Sequence, residues 1–90
     1  SCDCIQKVNG TVLDEETLQP IDSVYVYKQS KNNDYSYTDT RGHFKLESIS
    51  GGLFGCPPMK VELKKVGYEM KFAEIEVGYH AKVYMRKVNK

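Results

Sequence analysis

"YTDTRGHFKL", residues 37–46, sets two alternating half-strands on either side of four turn-forming residues. Asp39 suits the first position of a type I turn, where its carboxylate accepts from backbone amides two residues on. Gly42 suits the last, where a positive φ is needed. Before the turn Tyr35 and Tyr37 alternate with Ser36 and Thr38; after it Phe44 and Leu46 alternate with His43, Lys45 and Glu47. That period of two is expected where one sheet face is buried. The stretch from Tyr35 to Glu47 therefore predicts a hairpin turning at Asp39 to Gly42.

The same reading extends along the chain. Val8, Gly10 and Val12 alternate with Lys7, Asn9 and Thr11, and residues 13–22, LDEETLQPID, supply a polar loop with a proline. Val24 and Val26 alternate with Tyr25 and Tyr27, and residues 28–34, KQSKNND, read as a turn-rich connection. Residues 50–58, SGGLFGCPP, hold too much glycine and proline for a strand interior or a helix. Three more strands follow around Val61 and Leu63, around Ala73, Ile75 and Val77, and around Val83 and Met85. Seven short strands at roughly ten-residue spacing, each apolar on one face, predict an all-β, seven-stranded antiparallel Greek-key sandwich. Its expected core is Val8, Val12, Ile21, Val24, Val26, Phe44, Leu46, Val61, Leu63, Ile75, Val77, Val83 and Met85.

Ninety residues bound the protein to one domain with a single modest core. Thirteen basic and twelve acidic residues leave a net charge of +1 with no run of like charge, which argues against nucleic acid and anionic membrane surfaces as partners. No apolar run approaches the roughly 20 residues that span a bilayer as a helix.

The order of these signals, GTVLDEETLQPIDSVYVY (10–27), TDTRGHFKLESI (38–49) and VELKKVGYE (61–69), resembles the carboxypeptidase regulatory-like domain from about Val8 to Met85. The resemblance rests on Gly10, Thr17, Pro20, Ile21, Val24, Val26, Thr38, Asp39, Gly42, Phe44, Gly67 and Tyr68. It implies a transthyretin-like sandwich over residues 7–88, after an N-terminal tether at 1–6. Each position has a structural reading: Gly10 permits a bulge or bend, Pro20 and Ile21 lead back into a strand, Asp39 and Gly42 make a turn, and Gly67 turns the chain while Tyr68 tucks its ring against the core edge. None is catalytic. Such domains are mostly accessory modules of envelope proteins, a prior carried by fold alone.

Candidate chemistry is sparse. Cys2, Cys4, Cys56, His43 and His80 lack the paired spacing of a structural zinc site, so no metal or other cofactor is expected and the histidines read as solvated strand-edge residues. The zinc domain of a carboxypeptidase proper is absent. The purine-ring-opening hydrolases of transthyretin fold end in a Tyr-Arg-Gly-Ser signature, where residues 84–90 here read YMRKVNK. An internal isopeptide bond, as in similar-looking adhesin sandwiches, would cast Lys7, Glu62 and Asn89 in its three roles. The alternation instead sends Lys7 and Glu62 to solvent, where the lysine pKa cannot fall.

Seven tyrosines are many for this length. Tyr25, Tyr27, Tyr35, Tyr37 and Tyr84 fall largely on faces or edges opposite or beside the core; the first four make either a partner-binding surface or simple cross-strand packing. The opening Ser1-Cys2 resembles a bacterial lipoprotein junction. That resemblance implies lipid on Cys2, the membrane contact being only this anchor at the outer membrane, and a Cys4–Cys56 disulfide in an oxidising envelope compartment. Pairing of Cys2 with Cys56 stays open for an unlipidated chain, as do three inert thiols. The function expected is a non-catalytic envelope lipoprotein module that binds a protein or a polysaccharide. The alternative is a subunit whose site a partner enzyme or transporter chain completes.

Overall fold

The computed structural model describes residues 3–52 and 55–88; Cys2 and Asn89, and with them the lipidation site and one expected isopeptide partner, lie outside the described residues. Seven strands run in order: β1 (Asp3–Asp14), β2 (Tyr25–Lys28), β3 (Lys31–Tyr37), β4 (His43–Gly51), β5 (Met59–Lys64), β6 (Lys71–Ile75) and β7 (His80–Met85). They form a three-stranded sheet, β4-β1-β7, packed on a four-stranded sheet, β3-β2-β5-β6. This is the all-β sandwich that the alternation predicts. β1 begins at Asp3, so that positions 3–6 of the expected tether lie in the strand.

Inward-facing residues of both sheets close the core, which is the expected set with Met59 added and Val77 moved to its margin. Met59 follows Pro57-Pro58 and is fully buried because the period of two in β5 runs back from Leu63 and Val61 to it. Each such side chain contributes about 1.5–3 kcal/mol relative to exposure.

The Asp39–Gly42 turn forms as expected. Gly42 N donates to Asp39 O at 2.9 Å, and the Asp39 carboxylate accepts from the His43 and Arg41 amides at 2.9 Å each. Those amides, His43 first, hold its carboxyl below the usual range. The hairpin itself does not form, because the arms belong to opposite sheets: β3 pairs with β2, and β4 with β1. Thr38 explains the divergence. Its hydroxyl donates to Ile21 O at 2.7 Å and accepts from Val24 N at 2.8 Å, tying the first arm to β2. Three residues past Asp39, Val12 N donates to Gly42 O at 2.8 Å and ties the second arm to β1. The turn is the apex of an arch over the core edge.

Three further expectations are corrected. β7 runs parallel to β1, from Asn9↔His80 to Asp14↔Met85, so the strands are not all antiparallel; the turn at Glu76–Tyr79 carries the chain from β6 across to the other sheet instead of closing a hairpin. Residues 31–34 belong to β3 and not to a connection, since Gln29 and Ser30 alone close the β2–β3 hairpin with a register shift at Tyr27/Lys28. Those polar residues lie on an exposed edge strand, where no apolar alternation is required. Gly10 makes no bulge: it pairs in register with Phe44, and an added Cβ would lie 2.9 Å from the Phe44 ring and 2.8 Å from Ala81 O. Its role is to let that ring lie against the backbone of β1.

Candidate binding surface

The Val24 and Val26 side chains enter the core, so alternation turns Tyr25 and Tyr27 of β2 outward. Register then sets Tyr37 opposite Tyr25 and Tyr35 opposite Tyr27. The four rings form one cluster on the outer face of the four-stranded sheet. Tyr25 is the hub, with ring centroids 4.9 Å from Tyr27, 5.7 Å from Tyr35 and 5.4 Å from Tyr37, and Tyr35 meets Tyr37 edge-on at 6.0 Å. Tyr35 and Tyr37 on the edge strand are 54% and 59% exposed, whereas Tyr27 is covered by its neighbours. The face is thus both cross-strand packing and open aromatic surface.

Polar partners fix Tyr27. Its hydroxyl donates to the Glu62 carboxylate, and Lys64 Nζ sits 5.3 Å from the ring centroid. The hydrogen bond to Glu62, then burial, raises the Tyr27 pKa, and the contact with Tyr27 raises that of Lys64. Phe72 pairs with Glu62 from β6 and is exposed, as is Met70. Beside Tyr25 the surface dips into a groove of about 510 Å³ lined by Ser23, Lys64, Lys65, Val66, Tyr68 and Met70. The outward charged groups of β5 and β6, Lys60, Glu62, Lys64 and Glu74, balance in sign.

The remaining sites of the sequence reading are dispersed. Gly42 and Gly67 take positive φ at their turns, 74° and 90°. Cys4 and Cys56 are bridged, with Cα atoms 5.4 Å apart, joining the start of β1 to the loop before β5. Lys7, opposite Glu47, and Glu62, beside Phe72, stand on different sheets, so the isopeptide set is not assembled. The histidines, unrelated in sequence, meet on the outer face of the other sheet with ring centroids 5.7 Å apart.

One group escaped the sequence reading. Lys28 is buried, with Nζ donating to Gln6 Oε1 at 2.8 Å, Ser48 Oγ at 3.1 Å and Ile49 O at 3.2 Å. Gln6 in turn donates to Pro57 O at 2.9 Å, beside the disulfide. Ser48 donates to the Asp34 carboxylate. The signal was present: Lys28 continues the phase of Val24 and Val26.

Comparison with solved structures finds the same β-sandwich fold elsewhere. A chain of a type II cohesin–X-dockerin complex from Acetivibrio cellulolyticus, a C-terminal interface mutant, is similar over 89% of this chain and 56% of its own, with a TM-score of 0.58 and 15% identity. GBS52, the minor pilin of the Gram-positive pathogen Streptococcus agalactiae, is similar over 96% and 46%, with a TM-score of 0.51 and 17% identity. The chain spans about half the length of either structure. At such identities the likeness is one of fold. No protein-family model and no curated protein sequence matches the chain.

Proposed function

We propose that the domain is a non-catalytic module that binds a protein partner through the outer face of the β3-β2-β5-β6 sheet. The observation that carries this is the contiguous ring cluster of Tyr25, Tyr27, Tyr35 and Tyr37, extended across the sheet by exposed Phe72 and Met70. Aromatic anchors ringed by balanced charge match the make-up of protein interfaces. A polysaccharide is favoured less, because the rings tilt by 36° and 52° across the β2–β3 pair and by 79° within β3, and offer no coplanar platform for sugar faces. The fold neighbours, one in a cohesin–dockerin complex and one a pilin, support an assembly role without naming the partner. The finer family reading, a carboxypeptidase regulatory-like accessory domain, points the same way. The Cys4–Cys56 bridge supports an oxidising compartment, and a lipid on Cys2 would hold the module at the bacterial envelope.

The test is site-specific photo-crosslinking from position 37, with position 82 on the opposite sheet as control, followed by titration of the purified partner. Tyr35→Ala with Tyr37→Ala should weaken binding at least tenfold while Lys82→Ala leaves it unchanged. Crosslinks that favour position 82, or glycan binding that survives without any protein partner, refute the reading.

A further inference from the structure

The outer face of the β4-β1-β7 sheet is chemically unlike the tyrosine face. β1 runs between its two neighbours, pairing Thr11 with His43 on one side and Asn9 with His80 on the other. The two histidines therefore stand diagonally across β1, with rings 5.7 Å apart and nearly perpendicular at 86°. Both are exposed.

His80 is held at both nitrogens. Nδ1 lies 2.6 Å from Asn9 Oδ1, and Nε2 lies 2.6 Å from Thr11 Oγ1. Asn9 Oδ1 only accepts, so Nδ1 carries a proton; in the neutral ring Nε2 then keeps its lone pair, which the Thr11 hydroxyl meets as donor. Imidazoles that bind metals are held in this way, one N–H given to an oxygen and the other nitrogen presented outward. Thr11 is also the residue that pairs with His43, so the lone pair of His80 is directed toward the strand position beside the second ring. Two imidazoles on one ion, with metal–nitrogen bonds of about 2.0–2.1 Å, have centroids roughly 5 Å apart. The exposed His43 ring would turn to bring one of its nitrogens to the same ion.

We propose that His43 and His80 form a two-imidazole site for a divalent transition-metal ion of the imidazole-preferring kind, Zn²⁺, Ni²⁺ or Cu²⁺, with Asn9 as its positioning residue. The Thr11 hydroxyl turns aside or adds a weak oxygen ligand. No cluster of three or more His, Cys, Asp or Glu occurs among the described residues, so the remaining positions fall to water or to a side chain of a bound partner. Lys45 and Lys82 take the other two places around Asn9 and Thr11 and oppose a cation; both are exposed, and their flexible stems let the ammonium groups swing into water. The site is therefore exchangeable and moderate in affinity.

Titration of the full, disulfide-intact chain with Zn²⁺ alone, read by calorimetry and by the imidazole carbon-bound proton resonances in NMR, tests this. The expected result is one histidine-dependent ion per chain, with both His43 and His80 resonances shifting together. His43→Ala and His80→Ala should each lose that binding, and Asn9→Ala should weaken it about tenfold, the lower end of the effect of removing an orienting partner. Any ion held by other groups persists in all three variants and is subtracted. All three substitutions lie on the solvent face, and unchanged melting temperatures show that the fold is kept. Retention of the binding in both histidine variants, or a shift of only one histidine's resonances, overturns the proposal.

Discussion

Tyr68 donates its hydroxyl to Asp14 Oδ2 at 2.8 Å, fastening the β5–β6 connection to the end of β1 across 54 residues of sequence. The other carboxylate oxygen accepts from the Glu16 and Thr17 amides at 2.9 and 3.0 Å. The Thr17 amide and then Tyr68 lower the Asp14 pKa to about 2. A depressed carboxylate contributes stability that is present above its unfolded pKa of 3.8 and lost as pH falls toward 2. Thermal melts between pH 6 and 2 should fall through that window, and Asp14→Asn should flatten the fall. Tyr68→Phe should move its lower edge upward, toward 3.8. A wild-type profile that matches Asp14→Asn would remove Asp14 as the acid-sensitive group.

Glycine is required at position 42 for two reasons and at position 67 for one. A Cβ on Gly42 would lie 2.5 Å from Val12 O, at φ +74°, whereas one on Gly67 would meet nothing within 4 Å at φ +90°. Gly67→Ala should cost about 1–2 kcal/mol from backbone conformation alone. Gly42→Ala should cost clearly more, because the backbone of β1 or of the arch must also shift. Equal denaturant midpoints for the two variants would contradict the close approach to Val12.

The Cys4–Cys56 bridge closes a separation of 52 residues. Removing it by Cys4→Ser with Cys56→Ser should destabilise the domain by up to about 4 kcal/mol on the chain-entropy account. Urea unfolding with and without reductant measures this for the wild type. A thiol reagent on the folded, non-reduced chain should leave Cys4 and Cys56 unmodified.

Lys28→Met keeps the length of the side chain while removing its donors to Gln6, Ser48 and Ile49. It should cost about 1–3 kcal/mol, the penalty of leaving buried acceptors unpaired. A neutral or stabilising result in chemical denaturation would mean that the desolvation of the ammonium offsets its hydrogen bonds.

Exposed Tyr37 adds little to the fold. Tyr37→Ala should lower stability by about 0.2–1 kcal/mol, the worth of a cross-strand pair, so that a large loss of binding in the same variant reports on the surface and not on unfolding.

What the sequence alone determined is local. Side chains alternate across a strand with a period of two, so Val24 and Val26 could be sent to the core and Tyr25 and Tyr27 to the outside without knowledge of any partner strand. Turn chemistry is local as well, and Asp39 with Gly42 specified its bend. Pairing is not local. Whether the arms of that bend join each other or different sheets depends on Thr38 reaching Ile21 and Val24, and on Val12 reaching Gly42. Tyr35 and Tyr37 were legible as a pair on one face, but their union with Tyr25 and Tyr27 needed the register of β2 against β3. His43 and His80, 37 residues apart, gave no signal of each other, because only their shared pairing with β1 brings β4 and β7 within reach. Lys28 continued an inward phase, yet its charge argued for solvent until Gln6, Ser48 and Ile49 were seen around it. Hydrogen-bond partners that lie far off in the chain decided these features, and only the folded sandwich brings them within reach.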